Sequence, residues 1–418
     1  MRRGGKKKVV ILGGGIAGLA AAHELRRLSP AIELRLLEAR QQLGGRILTE
    51  RDPLSGEPLE LGAEFVHGRP PALLRVLRQA RIAIDEGDDR GESESSPFAL
   101  LPKLLAPLLA SGAPDQAIGE FLRRQAISAG QREMLGGYVQ GFYLAAPARA
   151  SARAIARMEV AARAIHGGRA AQLPGGYDAL VDWLASQLQP TEIRLGAAVT
   201  GVSWKPGHVE VRATSLAGAR LPRLEGDAAI IALPFNALAG KARTLALSPA
   251  LPDKRGAAAS LRMGNATKVF LRFDGSVKTE PFFFGGGRVP VWWTAAAPGT
   301  RWLVGWAGGR AAEILDRLSD SAVRRAALRS IAIHTGRDMT DLARALTGFR
   351  CARWSREPFI EGGYAVVPLG ADGAMDILAS PVAGTLYFAG EATHPDHAGT
   401  VHGAFESGVR AARELLGD

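Results

Sequence analysis

The residues best suited to chemistry lie within the first forty positions. An apolar run from Val9 to Leu12 leads into Gly13-Gly14-Gly15-Ile16-Ala17-Gly18, and Glu38 closes a second run containing Ile32, Leu34, Leu36 and Leu37. Each residue type has a physical task at that spacing. Gly13 permits a tight strand-to-helix turn, Gly15 lets the backbone approach a pyrophosphate, and Gly18 lets the next helix lie close on the sheet. A helix over 16–28 would aim its free N–H groups and positive dipole end at phosphates. Glu38, about 20 residues past the last glycine, is placed to bind a ribose hydroxyl. A carboxylate there disfavours a 2′-phosphate, which sets NADP aside and leaves FAD and NAD open. Three glycines alone would be an ordinary turn; strand, helix and acid at the right distances make a dinucleotide fingerprint.

The other candidates are weaker taken singly. Alternation along 267–273 puts Thr267, Val269, Leu271 and Phe273 on one strand face and Lys268 on the other, so Lys268 alone reads as a solvent-facing lysine. Trp354 and Tyr364 alone read as core aromatics, and His67 as a hydrogen-bonded loop histidine. His394, His397 and His402 have a spacing that invites a metal, but no acid-rich ligand set accompanies them, so no metal is assigned.

Elements must hold these groups in place. Residues 1–68 read as a βαβ unit followed by glycine-rich loops, and 70–165 turn helical and rich in alanine and arginine, as in 71–80 and 151–165. A turn at 173–177 precedes a helix over 178–188. Short strands follow at 193–195, 199–204, 208–213 and 228–233, then a second strand group at 267–273, 291–294 and 302–306. Helices over 311–318 and 321–334, a last strand over 386–389 and a helix over 403–416 complete the chain. The expected fold class is α/β. A Rossmann-type domain is assembled from 1–68, 170–245 and 366–418, and an α+β substrate-binding domain from 69–169 and 246–365.

Composition bounds the rest. At 418 residues the chain exceeds one core, which favours two domains. The single cysteine, Cys351, excludes an internal disulfide framework and a cysteine-cluster metal site, and fits a cytoplasmic location. Of the net charge of +11, Arg2, Arg3, Lys6, Lys7 and Lys8 contribute before the first strand, and the remainder is spread without basic-aromatic blocks. That argues for a solvated basic surface and no nucleic-acid partner. The acidic stretch at 85–89 and 92–94 reads as a solvated loop, with an acidic rim attracting amines as the alternative. The basic start and apolar run imitate a secretory leader, but cleavage would remove the fingerprint strand. No run of 18 apolar residues exists, so no membrane span is expected. The apolar segment 98–109, interrupted by Pro102, Lys103 and Pro107, reads as a buried or channel-lining helix pair; contact with a membrane surface stays open.

Residues 9–25, Leu37-Glu38-Ala39-Arg40 with Leu43-Gly44-Gly45-Arg46-Ile47, Leu61-Gly62-Ala63-Glu64-Phe65-Val66-His67-Gly68, 387–393 and 400–408 together resemble the flavin amine oxidase family. The resemblance spans nearly the whole chain. It implies FAD, not NAD, in the amine-oxidase type of Rossmann domain. It implies non-covalent binding, because Gly363 stands where monoamine oxidases carry the linking cysteine and Cys351 lies too far upstream. Cofactor contacts are implied for Gly13, Gly15, Ile16, Ala17, Gly18, Glu38, Ala39, Arg40, Gly45, Arg46, Gly62, Ala63 and Glu64. Val199 would lie near the adenine and Glu391, after Gly390, near the ribityl-phosphate. Thr400, Val401 and Ala404 would bring a helix N-terminus to the pyrimidine edge.

By the same resemblance, a half-buried Lys268 would hold a water against flavin N5. Trp354 and Tyr364 would stand at the flavin face, with Tyr364 as one wall of a substrate cage, and His67 would border the active site. Thr400 replaces the second cage aromatic, which is more like polyamine oxidases and histone-lysine demethylases. The implied activity is oxidation of a primary or secondary amine by hydride transfer to N5, with imine hydrolysis in water and reoxidation by molecular oxygen to hydrogen peroxide. The competing readings are an L-amino-acid oxidase, a protoporphyrinogen oxidase, a carotenoid desaturase, which Lys268 argues against, and an FAD-binding interaction protein without turnover.

Overall fold

The computed structural model describes residues 6–86, 96–240, 244–295 and 302–418. A five-stranded parallel sheet runs in the order Leu386–Phe388, Ala228–Ile231, Lys8–Leu12, Glu33–Leu37 and Glu192–Arg194. Its strands come from the beginning, middle and end of the chain. Val9 to Leu12 are buried on both faces, as the central strand of a parallel sheet covered on two sides must be.

The helices Ile16–Leu28 and Val401–Leu416 pack against each other over one face of that sheet. A Cβ on Gly408 would overlap the carbonyl oxygen of Ala17, so the glycine permits the crossing. The C-terminal helix starts at Val401, two residues before the sequence expectation, because Thr400 Oγ1 accepts from Gly403 N at 3.0 Å and caps it. The other sheet face packs on a four-stranded sheet (Leu224–Gly226, His208–Ser215, Ala197–Lys205, Ala246–Ser248) and on the helices Pro252–Ser260 and Ala374–Ala379.

A second five-stranded, antiparallel sheet has the order Phe282–Phe284, Val291–Thr294, Trp302–Gly308, Ala266–Phe273, Leu346–Arg353. Val269, Leu271 and Phe273 pack on the helices Asp320–Thr335 and Met339–Ala345. The opposite face is not solvated. Phe270 meets Leu59 and Leu61, and Arg272 Nη1 donates to Asp52 Oδ2 at 2.9 Å, so the hairpin Thr49–Arg51/Pro58–Glu60 and its loop cover it. This overturns the solvent-facing expectation for Lys268, since alternation tells which face a residue takes and not what lies over that face.

Segment 98–109 forms one helix, Pro97–Ala110, rather than a pair, with both prolines inside it. Leu101, Leu105 and Leu108 are buried against neighbours that include Ile155 and Ala156 of the helix Ala152–Ala164. Its apolar face is therefore covered by protein, which removes the reason for proposing membrane contact there. Among the described residues no helix is long and apolar enough to cross a membrane. Of the acidic stretch, Asp85 and Glu86 are described and the acids beyond them lie outside the described residues.

Asp52 is 2% exposed and also accepts from Trp302 Nε1 at 3.1 Å. Asp52→Ala would leave the Arg272 guanidinium without its carboxylate, an expected loss of about 3 kcal/mol in denaturant unfolding. A change below about 0.5 kcal/mol would contradict the role given to this contact.

Candidate active site

A cavity of about 1470 Å³ opens beside the fingerprint and continues to the antiparallel sheet and the helices Pro97–Ala110, Ala129–Phe142 and Ala152–Ala164. A single small-molecule pocket is roughly 300–1,000 Å³. This space therefore suits a cofactor together with a second molecule.

The three fingerprint glycines divide their labour. Gly13 has φ +106° and a Cβ there would lie 2.7 Å from Ala232 O, so it serves the turn. A Cβ on Gly18 would overlap the Gly13 carbonyl, so Gly18 serves helix packing; it is not on the cavity wall, which corrects its place among the cofactor contacts. At Gly15 a Cβ would meet only Gly45 Cα, at 3.9 Å, and Gly15 lines the cavity. Nothing in the fold needs that space, which fits a pyrophosphate cradle at the helix N-terminus.

Glu38 is buried on the cavity wall, with Oε2 accepting from Gly14 N at 2.7 Å and Oε1 from Arg40 N at 2.8 Å. Burial raises its pKa and these backbone donors oppose the rise. Ile16, Ala17, Ala39, Arg40, Gly45, Arg46, Gly62, Ala63, Glu64, Gly390, Glu391, Thr400, Val401 and Ala404 all line the same cavity. Glu391 is held by Arg46 Nη1 at 2.8 Å, Gly399 N at 3.0 Å and Ala365 N at 3.2 Å. Val199, like Gly18, is not on the cavity wall: it packs against the core beneath the parallel sheet.

At the far side of the cavity Lys268 is 3% exposed, not half-buried. Its Nζ donates to Glu60 O at 2.8 Å, Gly62 O at 3.0 Å and Glu64 Oε2 at 2.6 Å. All three ammonium protons are engaged, so a water can be held there only in exchange for one of these bonds. Tyr364 lines the cavity with its hydroxyl donating to Phe142 O at 2.6 Å, and burial raises its pKa. Trp354 both lines the cavity and packs in the core, with Nε1 donating to Leu61 O at 2.9 Å. Thr400 lines the cavity, but its hydroxyl is committed: it donates to His397 O and accepts from Gly403 N.

His67 is exposed and lines the cavity, and the protein packed around it lowers its pKa. His402, also on the wall and 3% exposed, has no described partner at Nε2, and burial, with smaller contributions from His397, His67 and His394, pushes it down to about 2. An unpartnered buried nitrogen on this wall is a group that a bound cofactor can satisfy. Among the described residues no three His, Cys, Asp or Glu gather as a metal site.

Several wall residues escaped the sequence reading. Trp293 Nε1 and Gln172 Nε2 donate to Glu64 Oε1 at 2.7 and 2.8 Å. Phe98, Tyr138, Phe142 and Tyr143 form an aromatic group with centroids 5.0–6.0 Å apart. The Trp292-Trp293 doublet was the available signal, since adjacent strand residues face opposite ways and one ring had to leave the core of the helical side. Glu60 lies behind Lys268, accepting from Tyr177 N and Thr49 Oγ1, and burial raises its pKa to about 7.

The model of the family described as flavin containing amine oxidoreductase matches residues 16–124 and 98–416. The chain belongs to that family. Polyamine oxidase 1 of Oryza sativa subsp. japonica is 27% identical, over 98% of this chain and 97% of its own length. Lysine-specific histone demethylase 1 homolog 2 of Arabidopsis thaliana is 26% identical, over 99% of this chain and 59% of its own. The structure of cyclohexylamine oxidase from Brevibacterium oxydans IH-35A superposes with a TM-score of 0.82 at 19% identity, covering 99% of each chain, a likeness of fold. The protein is thus an FAD-dependent oxidoreductase acting on amine donors, with FAD as its cofactor.

Two outcomes follow. Gly15→Ala is expected to keep the melting temperature of the apoprotein and to weaken FAD binding roughly tenfold or more, read by flavin titration; undiminished affinity would contradict the cradle. For Glu60, the native state binds more protons than the unfolded chain between pH 4.5 and about 7, so stability falls as pH rises through that window. Thermal unfolding of Glu60→Gln should lack this slope; an unchanged slope would contradict the assignment.

Proposed function

We propose that the protein oxidises a primary or secondary amine at the carbon next to nitrogen, in the cytoplasm, with molecular oxygen as electron acceptor. The observation that carries this reading is that Lys268 and Tyr364 line the same cavity as the fingerprint glycines and Glu38. Bound FAD supplies the chemistry, accepting hydride at N5 and passing the electrons to oxygen as peroxide while the imine is hydrolysed in water.

The protein's own residues bind, orient and exclude water. Gly15 and the N-terminus of Ile16–Leu28 would take the pyrophosphate and Glu38 a ribose hydroxyl. The bond from Tyr364 to Phe142 O fixes the ring as a cage wall, with Trp354 and Trp293 continuing an apolar lining. Such a lining favours the neutral, reactive form of an amine. His67, whose pKa is lowered by the protein around it, adds no like charge to repel an arriving ammonium. The names of the rice polyamine oxidase and the Brevibacterium cyclohexylamine oxidase support an amine substrate. We divide the chain into an FAD domain of 1–68, 170–245 and 366–418 and a substrate domain of 69–169 and 246–365.

Anaerobic mixing of the holoenzyme with polyamines, monoamines, amino acids and porphyrinogens tests the reading. At least one amine should bleach the flavin, with peroxide released on admitting air. Bleaching by amino acids or porphyrinogens alone, or by nothing, would overturn it. Lys268→Met should retain FAD and slow flavin reduction or reoxidation roughly tenfold or more; normal turnover would remove Lys268 from the chemistry.

A further inference from the structure

Lys268 and Glu64 are both on the cavity wall, 2.6 Å apart and only 3% and 4% exposed. Their bonding is saturated on this side. Lys268 spends its protons on Glu60 O, Gly62 O and Glu64 Oε2, while Glu64 Oε1 accepts from Trp293 Nε1 and Gln172 Nε2. The partners arrive on separate pieces of structure. Lys268 and Trp293 belong to two strands of the antiparallel sheet, Gln172 to the strand Ala170–Gln172, and Glu64 to the turn before Phe65–His67. A lone ammonium buried here would be strongly disfavoured, and a carboxylate in contact offsets that cost.

We propose that Glu64 is a positioning residue for Lys268: it fixes the ammonium in the cavity wall and cancels its charge, so that flavin and amine face an electroneutral pair instead of a free cation. The inference rests on the reading of Lys268 as a residue facing the flavin. A free cation would favour the electron-rich reduced flavin and repel an ammonium substrate; the pair does neither. The other titratable group facing Lys268 is the Glu60 carboxyl behind it, while the Phe270 and Trp293 rings and Gln172 are neutral. Glu60 is present in every variant below, but Lys268 lowers its pKa and Glu64 raises it, so each comparison is made on both sides of its titration near 7.

The test is the midpoint potential of the bound flavin in the native protein, Glu64→Gln, Lys268→Met and the double variant, from about pH 6 to about pH 9. Glu64→Gln should lie above the native protein, because an unpaired ammonium favours the reduced flavin, and Lys268→Met below it, because an unpaired carboxylate disfavours the reduced flavin. The double variant, and Glu64→Asp, which keeps the charge, should track the native protein throughout. A merely structural role would not produce opposite shifts that cancel.

If Glu64→Gln tracks the native protein while Lys268→Met departs from it, the proposal is overturned and the reading of Lys268 stands. If Lys268→Met also tracks it, Lys268 does not face the flavin and both fall. Should Glu64→Gln be recovered without flavin, Lys268→Met is compared with the double variant. The proposal requires the single variant to lie lower, and coincidence of the two overturns it.

Discussion

The close crossing of the first and last long helices is the constraint on which the rest depends. Gly18 brings Ile16–Leu28 onto the turn that precedes it, and Gly408 brings Val401–Leu416 onto Ala17, so two ends of the chain nearly four hundred residues apart share one sheet face. Because these helices are pinned by small residues at backbone distance, the N-terminus of each borders the same cavity. The fingerprint and the C-terminal motif become one site through packing, not through proximity in sequence.

Burial then decides the state of each polar group around that space. Glu38 has backbone donors on both oxygens, Glu391 has Arg46 and two backbone donors, and Lys268 has Glu64. His402 is held neutral by the cost of charging a buried ring.

What the sequence made legible was local geometry. The glycine turn, the first helix and Glu38 could be read because each glycine's task follows from its neighbours within a few residues, and the parallel strands because continuous apolar runs belong to covered sheets. What it hid was how distant pieces cover one another. Lys268 looked solvent-facing because no pattern within its own strand announces that a hairpin around residue 55 lies over it. Thr400 lies on the cavity wall as expected of a residue near the substrate, but no local pattern announced that its hydroxyl is taken by the cap and by His397 O. Val199 lies in the strand Ala197–Lys205 and packs against the core beneath the parallel sheet, off the cavity wall. Glu64 was visible as part of a motif; its pairing with Lys268 joins residues more than two hundred positions apart and has no signature in either segment.

The most direct measurement is the flavin content of the purified protein after acid precipitation. If the cavity holds FAD, as the free space at Gly15 fits, and holds it without a covalent link, as Gly363 in place of a linking cysteine implies, the supernatant will contain FAD in an amount equimolar with the chain and the pellet will be colourless. Flavin that stays with the pellet, or a protein that carries none and takes up none when FAD is supplied, would contradict the account.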